Sequence, residues 1–269
     1  MKFARILDEA GKEILAAQGE GGVLFRCEGT SLVDPSTVKV TTEKVVASRF
    51  LAPVDPRSLI CVAASYRAHI EECNQTEQPE PIIFMKNPAA ATGHECPIVI
   101  PSICEDEVDY EGELAVVISK DCYNVSQEEA LERVAGYTVA NDVSARIWQL
   151  ERGGGQWVRG KGFDTFAPMG PFLVTPDEVG STEDLTIRTI LNGEVVQEAS
   201  TKLMIRGVAE LISFLSQGTT LLAGTVILTG TPPGVGWFQK PRKLLRPGSN
   251  VIVEINRVGV LVNPVVAEA

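Results

Sequence analysis

The chain has 269 residues, 44% of them hydrophobic and 22% charged, enough to bury a sizeable core in one large domain with a small companion. Acidic residues outnumber basic ones by 35 to 24, a net charge of −11, and a surface of that sign repels phosphate backbones and anionic lipid. Nucleic acid and membrane surfaces are therefore not expected partners. With only two histidines, His69 and His94, metal chemistry has to rest mainly on carboxylates.

No run of 18 apolar residues is present, so no membrane span is expected. The first residues interleave Lys2, Arg5 and Lys12 with Asp8, Glu9 and Glu13. Transit peptides are poor in acid and signal peptides need an apolar stretch, so the sequence reads as cytoplasmic, or as mitochondrial with a leader removed. Six scattered cysteines without a C-x-x-C pair read as reduced thiols.

In chain order, short apolar segments at 3–7, 13–17 and 23–25, parted by Asp-Glu-Ala-Gly-Lys and Gly-Glu-Gly-Gly turns, predict a small β-meander domain over residues 1–55. Two prolines in 52–57 predict a linker, and a larger domain follows over 56–269. Its predicted strands are 59–63, 82–86, 114–118, 137–140, 172–174, 185–191, 195–197, 225–229, 251–255 and 258–262. Asn192-Gly193 between two of them is a type I′ hairpin signal. A capping box at Ser126-Gln-Glu-Glu129 opens a helix to about residue 134, and 208–215 carries apolar residues at helical spacing before Gly218. Strands without regularly alternating helices predict a mainly β (α+β) roll or sandwich and argue against a doubly wound sheet.

The stretch Glu105-Asp-Glu-Val-Asp-Tyr-Glu-Gly-Glu-Leu-Ala-Val-Val-Ile118 carries the chemistry. If it is extended, Glu107, Asp109, Glu111 and Glu113 share one face. A solvated edge would leave them without function, but the strand runs directly into an apolar segment. Like charges buried together need a cation, and oxygen ligands point to Mg²⁺, Mn²⁺ or Ca²⁺ rather than Zn²⁺. Asp142, after another apolar strand, offers a further carboxylate or simply a turn or helix cap. In Ser65-Tyr-Arg-Ala-His-Ile-Glu-Glu72, helical geometry would place His69 and Glu72 on one face, as a base with its orienting carboxylate or as an incidental surface pair.

Four segments in order, Val108-Asp-Tyr-Glu-Gly-Glu-Leu-Ala-Val-Val-Ile118, Gly136-Tyr-Thr-Val-Ala-Asn-Asp-Val-Ser-Ala-Arg146, Arg159-Gly-Lys-Gly-Phe-Asp-Thr-Phe166 and Thr229-Gly-Thr-Pro-Pro-Gly-Val-Gly236, resemble the fumarylacetoacetate hydrolase superfamily. Within it, Gln156-Trp-Val-Arg-Gly-Lys-Gly-Phe-Asp-Thr-Phe166 looks most like the domain-containing protein 2 group. The resemblance implies a β-roll with a small N-terminal β domain, assembled as a homodimer. It implies Mg²⁺ or Mn²⁺ on Glu111, Glu113 and Asp142, an active-site Lys161, and a lid bearing His69 and Glu72. Tyr66, Arg146, Gln149 and Thr231 fall where family members contact substrate. Arg206 stands where an apolar residue is common, and His94 matches no motif.

The implied activity is metal-dependent chemistry on a small 2-oxo or dicarboxylic acid through an enolate held at the ion, oxaloacetate keto–enol tautomerisation first. C–C hydrolysis of acylpyruvates or fumarylacetoacetate-like acids, and decarboxylation of oxaloacetate, branch from the same intermediate. A reading of another class is a non-catalytic metal- or carboxylate-binding module.

Overall fold

The computed structural model describes residues 1–269, and its architecture follows from which segments are apolar on one face and which on both. Gly112–Ile118 and Val134–Asn141 are buried along their whole length, the signature of strands covered on both sides. They pair antiparallel, Gly112 opposite Asn141 and Leu114 opposite Val139. Around them runs a 12-stranded sheet whose path is Lys39–Val45, Leu24–Glu28, Glu13–Gln18, Lys2–Leu7, Ala167–Val174, Val134–Asn141, Gly112–Ile118, Thr225–Leu228, Ser58–Ala63 and Ile82–Lys86. Two short strands, Arg49–Phe50 and Ala91–Thr92, pair off that path. A five-stranded sheet takes the order Glu194–Ser200, Thr186–Leu191, Asn250–Ile255, Gly259–Ala267 and Ile98–Ile100.

Side chains alternate along Gly112–Ile118. Leu114, Val116 and Ile118 join a core shared with Ile187, Val253 and Ile255 of the second sheet and with Leu211, Ile212 and Leu215 of the helix Val208–Leu215. Ala115 and Val117 join a second core with Leu59, Cys61 and Leu228. Glu113 has the parity of this second set, so a carboxylate is carried to the end of an apolar layer.

The fold is mainly β, and its longest helix, Val208–Leu215, has eight residues. The N-terminal meander forms, and it continues the main sheet, because Lys2 and Phe3 register with Val174 and Leu173. Arg5 fixes the expected linker against the meander, its Nη1 and Nη2 each donating at 2.7 Å to the Asp55 carboxylate. The Asn192-Gly193 turn has positive φ at both residues, 51° and 86°, as a type I′ hairpin requires. The last strand runs further than its sequence pattern predicts, to Ala267, where it pairs in parallel with Ile98–Ile100.

Candidate active site

The acidic stretch is not one extended strand. Val108–Asp109 pairs with Ser144–Ala145, the chain turns, and Gly112 then enters the central strand. Side chains replace the ladder at the turn: Tyr110 N–H donates to its neighbour's carboxylate, Asp109 Oδ1, at 2.9 Å, and Glu111 N–H to Asn141 Oδ1 at 2.9 Å. Asp142 N–H donates to the Glu111 carbonyl at 2.8 Å. The turn therefore brings Glu111, Glu113 and Asp142 to one point, with one carboxylate oxygen from each within 4.8 Å of the others. All three are buried.

Cations from other elements surround this cluster. Lys161, at the end of the short helix Val158–Lys161, is 2% exposed and so is not a surface lysine. Its ammonium donates at 2.7 Å to Glu111 Oε2 and at 2.8 Å to Asp142 Oδ2, and stands 5.0 Å from the Phe84 ring centroid. Arg146 Nη1 lies 2.7 Å from Glu111 Oε1, while its Nε and Nη2 face Asp109 Oδ2 at 2.9 and 2.8 Å. Burial alone would raise the Glu111 carboxyl, yet Lys161 and Arg146 hold it well below the ordinary glutamate range. Burial would discharge Lys161, and the charges of Asp142 and Glu111 hold it above the usual lysine value. Glu113 goes the other way: burial, then the charges of Asp142 and Glu111, raise it well above the usual value.

The donor set fits a hard divalent ion. Three buried carboxylates converge without a nitrogen or sulfur ligand among them, the pattern suited to Mg²⁺, Mn²⁺ or Ca²⁺. Asp142 Oδ1 is buried without a hydrogen-bond donor. Lys86 Nζ sits only 2.6 Å from it, but that ammonium directs its protons at the carbonyls of Val143, Lys161 and Phe166, at 2.9, 2.6 and 2.8 Å. Asp142 Oδ1 thus faces one buried ammonium, with which an ion held by the three carboxylates would share it.

The segment expected to form the lid is helical. Helix Arg67–Glu72 places His69 Nδ1 3.0 Å from Glu72 Oε2. The second oxygen of Glu72 accepts from Gly234 N–H at 2.9 Å, so the carboxylate that orients the imidazole also fastens the lid to the loop after Thr225–Leu228. Two glycines make that loop possible. Gly230 N–H donates to Glu113 Oε2 at 2.7 Å with φ 99°, and a Cβ there would meet Ser65 Oγ at 2.2 Å. At Gly234, φ is 109°, and a Cβ would meet the Val196 carbonyl at 2.1 Å. Below helix Arg67–Glu72 lies a small cleft lined by His69, the three carboxylates and Lys161.

A family model described as fumarylacetoacetate (FAA) hydrolase C-terminal matches residues 58–266. The chain belongs to the fumarylacetoacetate hydrolase family. A mitochondrial oxaloacetate tautomerase of Bos taurus is 48% identical over 218 residues, 81% of this chain and 69% of the relative. An uncharacterized protein of Archaeoglobus fulgidus is 46% identical over 243 residues, 90% of each chain. Among solved structures, a fumarylacetoacetate hydrolase from Exiguobacterium antarcticum superposes with a TM-score of 0.86 at 36% identity, with 100% of both chains covered. A 5-carboxymethyl-2-hydroxymuconate delta-isomerase from Mycobacterium smegmatis gives 0.85 at 35%, again over 100% of both.

Of the residues expected from the family to contact substrate, Arg146, Gln149 and Thr231 line the cleft and Tyr66 does not. Tyr66 is 1% exposed beneath the lid, off the cleft wall, its hydroxyl without a partner. Arg146 borders the cleft with Gln149, but its fork is taken by Asp109 and Glu111, and Nη1 also donates to Gln149 Oε1 at 3.0 Å. Thr231 lines the cleft while its hydroxyl donates to the Gly112 carbonyl at 3.1 Å and accepts from Gln197 at 2.8 Å. Two residues at the heart of this family site escaped the sequence reading. Lys86 looks like the polar end of an ordinary strand, and nothing local says that its ammonium reaches the carbonyls of Val143, Lys161 and Phe166. Asp109, one of the four acids noted on the strand, proves to accept from Gly236 and Trp237 N–H at 2.8 and 2.9 Å as well as from Arg146. It therefore anchors both the arginine and the loop that receives the lid. His94 accepts from Val262 N–H at 3.1 Å, away from the cleft.

Proposed function

We propose that this protein catalyses keto–enol tautomerisation of a small 2-oxo dicarboxylic acid, oxaloacetate first, at a divalent-metal site built by Glu111, Glu113 and Asp142. The observation that carries this reading is the meeting of three buried carboxylates, Lys161 and the His69–Glu72 pair on one cleft. The 48% identity to a mitochondrial oxaloacetate tautomerase selects the reaction among those open to the family. When bound, the ion would supply Lewis acidity to the 2-oxo group and so acidify the C3 hydrogens.

The protein's own residues do the rest. Glu72 accepts from His69 Nδ1 and so leaves Nε2 as the basic nitrogen. Nε2 takes a proton from C3, the C3–H pair becomes the C2–C3 double bond, and the carbonyl pair moves onto the C2 oxygen. Lys161, held charged by its carboxylate neighbours, faces that developing negative oxygen. Protonation of the oxygen gives the enol, and the reverse sequence returns the keto acid. Phe84 and Trp157, edge to face at 5.6 Å, wall the cleft and limit water.

The family's other outcomes break the C3–C4 bond of the keto acid instead, by loss of CO₂ or by attack of water on the C4 carbonyl, and release the pyruvate enolate, so substrate trials decide among them. Purified protein with Mg²⁺ is given enol-oxaloacetate and, separately, acetylpyruvate. Accelerated loss of enol absorbance without pyruvate release from acetylpyruvate is expected. Pyruvate release that depends on His69 would replace tautomerase by hydrolase, and ion binding without turnover of either acid would favour the non-catalytic module.

A homodimer belongs to this reading. Ile83 and Met85, 44% and 47% exposed on the edge strand Ile82–Lys86, offer an apolar surface for a second copy, and sedimentation tests it. No helix is long and apolar enough to cross a membrane. Six free cysteines suit a reducing compartment, the cytoplasm or the mitochondrial matrix.

A further inference from the structure

The two limbs of the lid are held unequally. Segment 204–206 crosses the lid base, where Ile205 N–H donates to the Ser65 carbonyl at 2.8 Å and Met204 forms an isolated bridge with Tyr66. These contacts fix the limb by which the chain enters. Between Cys73 and Pro81 the hydrogen bonds turn inward: Cys73 N–H to the His69 carbonyl, Gln75 N–H to the Ile70 carbonyl, and Arg67 to Glu77. Residues 74–80 are exposed, so burial does not hold the returning limb. One hydrogen bond ties it to the body of the protein, from the Arg206 guanidinium to the Pro79 carbonyl.

Arg206 is equipped for that task. Its side chain is only 19% exposed, and its Nε lies 3.3 Å from Glu210 Oε1, one turn along. Glu210 belongs to the helix whose Leu211, Ile212 and Leu215 are packed in the core. The guanidinium, braced through Glu210 on a core-packed helix, thus reaches an exposed limb, with one edge on a carboxylate and the other on a carbonyl.

We propose that Arg206 is a positioning residue for the lid: by clamping Pro79 it keeps the returning limb docked and His69 over the carboxylate cluster. The functional half of this rests on His69 being the base. Loss of one charge-assisted hydrogen bond raises the undocked population roughly tenfold or more.

The test compares Mg²⁺-loaded parent, Arg206→Met and Arg206→Lys by hydrogen exchange, by alkylation of Cys73 and by turnover. Cys73 reports on the lid because the other five cysteines are buried. In Arg206→Met, exchange across residues 71–80 and alkylation of Cys73 should each accelerate roughly tenfold, and kcat should fall in step with the docked fraction, by a smaller factor than the gain in exchange. Exchange in Gly112–Ile118 and Mg²⁺ affinity should stay at parental values, and Arg206→Lys should recover much of the loss. Unchanged lid exchange in Arg206→Met overturns the proposal, as does an equal rise in the central strand, which would mark general loosening. Unchanged kcat with a faster-exchanging lid overturns the positioning role. Exchange is read without substrate, so it stands apart from the base assignment, which full activity of His69→Ala would refute by itself.

Discussion

Replacing Lys161 by Met tests whether the ammonium and a divalent ion answer the same electrostatic demand. Lys161 Nζ stands 2.7 Å from Glu111 Oε2 and 2.8 Å from Asp142 Oδ2, with every partner buried. At an effective dielectric near 20, each pair attracts by about 6 kcal/mol before desolvation is counted. Desolvation offsets much of that, and removing one partner of a buried pair costs about 3–5 kcal/mol. Methionine keeps the length of the side chain and deletes the charge, so the cost is electrostatic rather than a cavity. The metal-free variant should therefore melt roughly 10 °C below the metal-free parent. Saturating Mg²⁺ should close most of the gap, because the ion returns positive charge to the same carboxylates, while turnover stays low for want of the ammonium. Thermal unfolding in EDTA and in excess Mg²⁺ reads both effects. A metal-free variant as stable as its parent, or a Mg²⁺ increment equal in the two proteins, would refute the reasoning.

Other outcomes follow from the same geometry. Glu113 is raised by burial and by Asp142 and Glu111, so the metal-free folded state holds a proton that the unfolded chain releases in the ordinary glutamate range. Its contribution to metal-free stability therefore falls as pH rises above that range. Metal loading should displace this proton, and apparent Mg²⁺ affinity should climb with pH. Calorimetry in two buffers of different ionisation enthalpy checks this, and a binding heat independent of buffer contradicts it. His69→Ala should lower kcat by about 10²–10⁴-fold and leave Mg²⁺ affinity intact, as a base outside the ligand set must. Burial pushes the Cys73 thiol up to about 12, so at pH 8 only about one molecule in 10⁴ carries the thiolate. Alkylation of the folded protein should accordingly be slow, and rapid labelling at that pH would contradict the burial.

The sequence marks Glu111 and Glu113 because their acidic stretch runs directly into an apolar strand, whereas Asp142 and Lys161 are singled out only by the resemblance of their motifs to the family. Helical spacing puts His69 and Glu72 on one face, and the family resemblance favours a functional pair over an incidental one. The bridges between distant segments are not legible in this way. Asp109 meets Arg146 across 37 residues, and Lys86 reaches the Phe166 carbonyl across 80, with no local pattern to announce either. The same holds for Arg206 and Pro79, 127 residues apart. At the level of the fold, alternation and turn residues reveal the strands, and Asn192-Gly193 even its turn type. The union of the meander with the main sheet rests on Lys2 finding Val174, a pairing set by tertiary packing.

The central claim is that a divalent ion on Glu111, Glu113 and Asp142 drives enolisation of oxaloacetate. Protein stripped by chelation and then given Mg²⁺ or Mn²⁺ is followed by the decay of enol-oxaloacetate absorbance, beside Glu111→Gln under the same treatment. Activity lost on stripping, restored by either ion in the parent and absent from Glu111→Gln is the predicted result; stripped protein that works at the full rate would contradict it.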